Sequence, residues 1–227
     1  GVGFPVLIRI GIACMTETAA PLNAPLNAPR RGRKSALSRG QILDAAARML
    51  RRQGYGNTTL RKIAEVAGIQ AGSIYYHFAS KDEILDAVLE RGVRAVYEGV
   101  RDALAALPDN VGHLQRIETA VAAHLQALLS HGDYTSASIR TYGEVPEAFQ
   151  QKSQPLREAY VVLWQDLLAA AQADGAIRSD LDPHILRPLL LGSLNWTVEW
   201  YDPAQRPVAD IAAQAVDMLF HGVLPKD

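Results

Sequence analysis

Residues 59–78 read Thr59-Leu-Arg-Lys-Ile-Ala-Glu-Val-Ala-Gly-Ile-Gln-Ala-Gly-Ser-Ile-Tyr-Tyr-His-Phe78. Thr59 suits a helix N-cap, its hydroxyl placed to accept from an orphan N–H. Leu60, Ile63, Ala64 and Ala67 recur at helical spacing and give one apolar face. Gly68 follows the last of them, where a chain reversal needs positive φ without a Cβ penalty. Ile69 plugs the corner. Ile74 and Phe78, at i and i+4, bury one side of a second short helix, leaving Ser73, Tyr75, Tyr76 and His77 to point elsewhere. Two short helices around a glycine corner, the second with a polar outer side, predict a helix-turn-helix whose second helix enters a DNA major groove.

The chain around this stretch has 227 residues, 48% of them hydrophobic, enough for one large domain or two small ones with a real core. Its single cysteine, Cys14, leaves no intrachain disulfide and fits a reducing cytoplasm. The net charge of -1 hides a strong asymmetry. From Arg30 to Lys81, 11 Lys/Arg stand against only Asp44 and Glu65, a balance of +9. From Asp82 to Asp227, 11 Lys/Arg stand against 21 Asp/Glu, a balance of -10. A basic end on an acidic body points to a polyanion-binding part attached to one that must not bind it.

Residues 1–29 differ from the rest. Val2–Cys14 is apolar but broken by Pro5 and Arg9, and too short for a bilayer, which takes about 20 residues. No membrane partner is expected. Met15 is the expected natural start, and the Pro/Ala-rich stretch after it, with a tandem Leu-Asn-Ala-Pro, reads as a disordered extension. Arg30-Arg31-Gly32-Arg33-Lys34 is a basic arm, either a solvated tail or a phosphate or minor-groove contact. Ser38 and Gln41 predict a capping box opening the first helix, with Ile42, Ala46, Met49 and Leu50 inward. Ser80 and Glu83 predict a second box, opening a helix that carries its apolar stripe to Pro108. Gly92 and Gly99 within it mark either a bend or close packing. Further helices are expected over 114–129, 134–144 and 156–173, then from Pro183 to about Tyr201, and last from Pro207. The final two are apolar on too much of their circumference for a monomer's surface, which suits a two-fold four-helix interface.

Catalytic and metal chemistry find no motif. There is no Gly-x-Ser-x-Gly, phosphate loop, Cys-x-x-Cys or His-Glu-x-x-His. His113, His124 and His131 lack the i, i+4 spacing of a helical metal site, so no catalytic residue, metal or cofactor is expected.

The helix-turn-helix closely resembles that of the TetR family of bacterial one-component repressors. Thr58-Thr59, Ile63-Ala64, Ala67-Gly68, Gly72, Ile74-Tyr75, His77-Phe78 and Lys81 carry the resemblance. It implies an all-α chain: a three-helix DNA-binding domain over 30–81, then a larger helical ligand-binding and dimerisation domain over 82–227. Candidate DNA contacts follow in part from chemistry. Thr59 opens a helix whose free N–H groups seat a phosphate, and Arg61 reaches a phosphate or the groove. Ala71 and Gly72 let backbone approach the duplex, and Ser73 reaches a base edge or a phosphate. The resemblance adds Tyr75, with Tyr76 and His77 as phosphate contacts and Lys81 as a phosphate clamp. For Tyr75 and Tyr76, plain core packing is the competing reading. Gln70 departs from the serine or threonine the family often places there, which puts the cap of the recognition helix in question.

Asn195-Trp196-Thr197-Val198-Glu199-Trp200-Tyr201-Asp202-Pro203 resembles a TetR subgroup regulating fatty-acid and sterol catabolism in response to acyl-CoA thioesters. Trp196 and Trp200, at i and i+4, either line an apolar cavity or fill the core. His124, Arg140, Tyr142 and Trp164 complete the candidate ligand residues, with Arg157 beside them. The reading is a cytoplasmic repressor, dimeric through its last two helices. It leaves a palindromic operator when a small apolar or acyl-CoA-type ligand binds. Two alternatives stay open: a drug-sensing regulator of an efflux pump with the same fold, and a helical ligand-binding protein or enzyme with a vestigial head.

Overall fold

The computed structural model describes residues 30–145 and 150–221, with the backbone alone for residues 30–38, Tyr142 and His221. The disordered extension expected over 1–29 and the start expected at Met15 lie outside the described residues. The described chain is helical, with no strand among its residues. Its order is α1 (Arg30–Gln53), α2 (Leu60–Ala67), α3 (Ala71–Ile74), α4 (Lys81–Ala105), α5 (His113–Ser130) and α6 (Gly132–Thr141). α7 (Ser153–Ala173), α8 (Pro183–Asn195) and α9 (Val208–His221) follow. Short 3-10 turns extend α6 over Tyr142–Glu144 and α8 over Trp196–Glu199.

Local chemistry sets the boundaries. Thr59 Oγ1 accepts from Lys62 N at 3.3 Å and opens α2, and Gly68 at φ 69° closes it in the left-handed region. Ser80 Oγ accepts from Glu83 N, while the Glu83 carboxylate reaches back to Ala79 N at 2.7 Å, so both ends of the capping box are made. Asp182 caps α8 by accepting from His184 N, with Pro183 at the first helical position.

Several boundaries differ from expectation, and three of them matter most. α1 starts at Arg30, so Ser38 and the basic arm lie inside the helix. The segment is rich in Arg, Lys, Ala and Leu and holds no proline, and helix propagation overrides the cap. α4 stops at Ala105, ahead of Pro108. α8 stops at Asn195, where the chain tightens into the 3-10 turn, so Trp196 and Trp200 do not share an α-helical face.

Two apolar cores are built along α4. The first joins α1, α2 and α3 to Ile84, Leu85, Val88 and Leu89 of α4 and to Tyr134 and Ala137 of α6. The second joins Val96 and Val100 of α4 to α5, α7, α8 and α9. The head formed by α1–α3 therefore has no core of its own apart from α4 and α6. Gly92 decides how close α4 and α6 can come. A Cβ there would stand 2.6 Å from the carbonyl oxygen of Tyr134 and 3.0 Å from Ser138 Cβ. Gly99 faces Ala127 Cβ in the same way, at 3.0 Å. Both glycines serve close packing.

Gly92→Ala is expected to force α4 and α6 apart at a backbone contact and to destabilise the protein by about 1–3 kcal/mol. Gly40→Ala, inside α1 with nothing within 4 Å of the added Cβ, should be neutral or mildly stabilising. Urea denaturation of the two variants checks the contrast.

Candidate functional site

The head presents two sides. Ile63, Ala64, Ile74 and Phe78 are buried against α1 and α4. On the other side Thr59, Arg61, Ala71, Gly72, Ser73, Tyr75 and Tyr76 are exposed, with His77 and Lys81 half-buried at the edge. All nine residues singled out in the sequence thus lie on the head's accessible surface or its rim. Tyr76 is 79% exposed and packs edge-on against His77, with ring centroids 5.2 Å apart. Tyr75 is exposed too, so neither tyrosine packs in the core. Gln70 occupies the N-cap of α3 and makes no side-chain cap bond. The guanidinium of Arg39 covers the Phe78 ring at 4.9 Å and ties α1 to the end of the motif.

Lys81 is engaged rather than idle. Its ammonium donates to the Tyr55 carbonyl at 3.2 Å and sits 3.6 Å above the Tyr55 ring. The Tyr55 hydroxyl donates to Asp82 Oδ1 at 2.5 Å. That bond, followed by burial and the carboxylate's charge, pushes the phenol up to about 12. Lysine has three donors, so Lys81 can keep this anchor and still meet a phosphate.

A second feature lies in the body. α4, α5, α6, α7 and α8 converge on a cavity of about 320 Å³. Val93, Val96, Leu128 and Leu191 give it apolar walls, and His124, Ser138, Arg157, Arg187 and Asn195 supply polar atoms. His124 is 1% exposed, with Nδ1 2.6 Å from the Tyr160 hydroxyl and the two rings stacked. Burial pulls its imidazole down to about 4. Asn195 pulls weakly the other way, close enough to favour the charged ring yet closing no hydrogen bond with Nε2. Arg157 donates through Nη2 to Ser138 Oγ at 2.8 Å. Arg187 keeps a buried Nε without a hydrogen-bond partner.

The remaining candidate ligand residues scatter. Trp164 is fully buried behind His124 and Tyr160 and does not line the cavity. Arg140 forks onto the Glu199 carboxylate and donates to the Arg51 carbonyl, on an open groove outside the cavity. Trp196 and Trp200 are 66% and 56% exposed, so neither fills the core; Trp196 lines the open groove that holds Arg140, and Trp200 lines another beside Ile211 and Met218. The 3-10 turn swings them outward. The side chain of Tyr142 lies outside the described residues.

Two family models match the chain: "Bacterial regulatory proteins, tetR family" over residues 42–88, and "Tetracyclin repressor-like, C-terminal domain" over 111–223. The HTH-type transcriptional repressor KstR2 of Mycobacterium tuberculosis is 30% identical over 194 residues, spanning 82% of this chain and 90% of that protein. The chain belongs to the TetR family. Like its relatives it is a DNA-binding transcriptional regulator of the repressor type. The fatty acid metabolism regulator protein of Bacillus subtilis is 24% identical over 161 residues, spanning 70% of this chain and 80% of that one. The solved structure of the ketosteroid transcriptional regulator KstR2 of Mycobacterium tuberculosis superposes with a TM-score of 0.72 at 25% identity, covering 83% of this chain and 95% of that one.

Within this TetR fold, Arg187 and Asn195 are cavity residues that sequence reasoning missed. Arg187 did leave a signal, as a lone charge in the apolar run Ile185-Leu-Arg-Pro-Leu-Leu-Leu191. Asn195 left none. Among the described residues no cluster of three or more His, Cys, Asp or Glu is placed to hold a metal, and no helix is long and apolar enough to cross a membrane.

Two outcomes are expected. Tyr76→Ala should weaken operator binding by about 1–3 kcal/mol while leaving the melting temperature unchanged, as read by fluorescence anisotropy and calorimetry. His124 carries a pH signature. Its folded pKa of about 4 lies below the ordinary 6.5, so the unfolded chain takes up the proton first. The stability it contributes is complete above about 6.5 and is lost as pH falls to about 4, by up to roughly 3 kcal/mol. His124→Phe should flatten that part of the pH profile in urea titrations.

Proposed function

We propose that two copies of this chain, joined through α8 and α9, bind a palindromic operator and leave it when a small apolar or acyl-CoA-type ligand occupies the cavity. The observation that carries the ligand half is the cavity itself, which sits where α4 passes from one core to the other. At about 320 Å³ it is at the low end of the range for ligand sites, roughly 300–1,000 Å³. A compact ring system or a short acyl group fits that space, while a CoA moiety would remain outside. Arg157 and Arg187 line the cavity and suit an anionic group. The relatives named for ketosteroid and fatty-acid regulation agree with such ligands.

The dimer half rests on exposed apolar side chains. Ile185 and Leu189 of α8 and Met218 of α9 stand open, Leu189 at 67% exposure. Pairing these faces across a two-fold axis would cover them. It would also hold two recognition helices about 34–36 Å apart, the separation that successive major grooves demand. The boundary near residue 81, the nine head residues as DNA contacts and cytoplasmic action on DNA belong to this reading.

The efflux-regulator alternative draws less support. No carboxylate stands among the cavity's described lining residues to hold a lipophilic cation. A vestigial head is disfavoured by its exposed polar side.

The deciding experiment is a labelled promoter fragment titrated with protein and then with ligand. Decanoyl-CoA or a steroid-derived CoA thioester should release the complex. Release by a lipophilic cation alone would move the reading to the efflux class, and equal grip on random DNA would end it. Leu189→Glu is expected to give a monomer in light scattering and to lose operator affinity by about tenfold or more, since one head alone reads a single half-site.

A further inference from the structure

We propose that the Nε2–H of His124 is the donor that reads a carbonyl oxygen on the buried end of the effector, an inference that rests on the cavity being the effector site. His124 is almost wholly buried, lines the cavity, and has no hydrogen-bond partner at Nε2. A buried polar nitrogen left this way is costly, and the polar groups of native interiors nearly always find a partner. A site built for a ligand is where such an atom belongs.

Its neighbours fix what that atom offers. Nδ1 lies 2.6 Å from the Tyr160 hydroxyl, and one proton lies between them. Trp164 stands edge-on to Tyr160, and its indole N–H, a donor only, acts on the phenol oxygen without closing a full hydrogen bond. With that donor beside the oxygen lone pairs, the phenol directs its own proton to Nδ1. A neutral imidazole that accepts at Nδ1 keeps its hydrogen on Nε2. The three-ring stack of His124, Tyr160 and Trp164 therefore acts as a positioning device, and its product is a single N–H on the ring edge turned away from Tyr160, with Asn195, another cavity residue, close by.

The ligand class follows from what would match. Arg187 adds a second buried donor at Nε. No carboxylate stands among the described lining residues to accept in return. A carbonyl oxygen accepts and brings no donor of its own, so it satisfies Nε2–H without burying a new unpaired hydrogen. A hydroxyl would need a further acceptor for its own hydrogen, which only the neutral oxygens of Thr135, Ser138 or Asn195 could give, and a plain hydrocarbon would leave the nitrogen orphaned. The buried end of the effector is therefore a ketone or another carbonyl on a compact apolar frame.

The test uses the full chain and two probes of one shape, trans-1-decalone and trans-decalin. Calorimetric titration should show the ketone binding about tenfold tighter, the usual worth of one neutral hydrogen bond. His124→Phe should erase that preference, so that the ratio of ketone to decalin affinity falls to about one whatever the absolute affinities become. Long-range 15N NMR of the ligand-free protein should show His124 as the Nε2–H tautomer. Equal binding of both probes by the wild type, a preference retained in His124→Phe, or an Nδ1–H tautomer would each overturn the assignment while the cavity stands. If neither probe binds, the cavity reading falls and the assignment falls with it. Should His124→Phe not fold, the wild-type probe pair and the tautomer still decide.

Discussion

The contact on which this molecule turns is α6 pressed onto α4 at Gly92. The Tyr134 carbonyl occupies the space a side chain would need. Once the backbone is that close, the Tyr134 ring lies under Arg91, at 4.2 Å from guanidinium to centroid. Its hydroxyl donates to Asp44 of α1 at 2.5 Å and accepts from Arg91 at 2.9 Å. Burial, and after it the Asp44 bond, raises this phenol well above its ordinary range, so it stays a neutral donor. The Arg91–Asp44 pair is half-exposed at 3.8 Å and contributes little by itself. The packing and the tyrosine bonds set the angle at which the head meets the body.

That contact gives α4 its double role. The helix has 25 residues, a rod of roughly 38 Å. Its first turns complete the head core and its later turns enter the body core. Gly92 and Val93 lie between, and both line the cavity together with Val96, where the body core begins. Close-packed interiors do not deform smoothly, so under the proposed function an effector at this junction would act on the relation between the two cores rather than within either.

The sequence read in advance how the head is built, because its devices are local. A cap at Thr59, a corner at Gly68 and a buried pair at Ile74 and Phe78 each act within a few residues. Helix order, the all-α class and the apolar stripes were legible for the same reason. Two boundaries slipped where competing local preferences were close: the helix start at Arg30 instead of Ser38, and the 3-10 turn at Trp196. The cavity was legible only in fragments. His124 and Arg157 were singled out, but Arg187 and Asn195 join them through tertiary packing that no spacing rule encodes. Trp196 and Trp200 read as lining or core because their i, i+4 spacing would put both on one helical face. The turn that follows Asn195 faces them outward, a matter of one helical rung lost.

A second route from the cavity to the head runs outside the first. Arg187, Leu191 and Asn195 on α8 line the cavity, and the same segment continues to Glu199. Glu199 holds Arg140, whose other nitrogen donates to the Arg51 carbonyl in the last turn of α1 at 3.0 Å. The Arg140 guanidinium keeps the Glu199 carboxyl below its usual range. Both routes end on α1, one at Asp44 and one at Arg51, and α1 carries the head. Under the proposed function, an effector must favour one placement of α1 over another. Moving a population from 99:1 to 1:99 takes about 5.5 kcal/mol of differential binding. Partly exposed ion pairs such as Arg140–Glu199 contribute about 0–1 kcal/mol each. The larger share must come from what fills the cavity and from the buried nitrogens it satisfies, so the charged route transmits a displacement whose driving energy arises in the apolar interior.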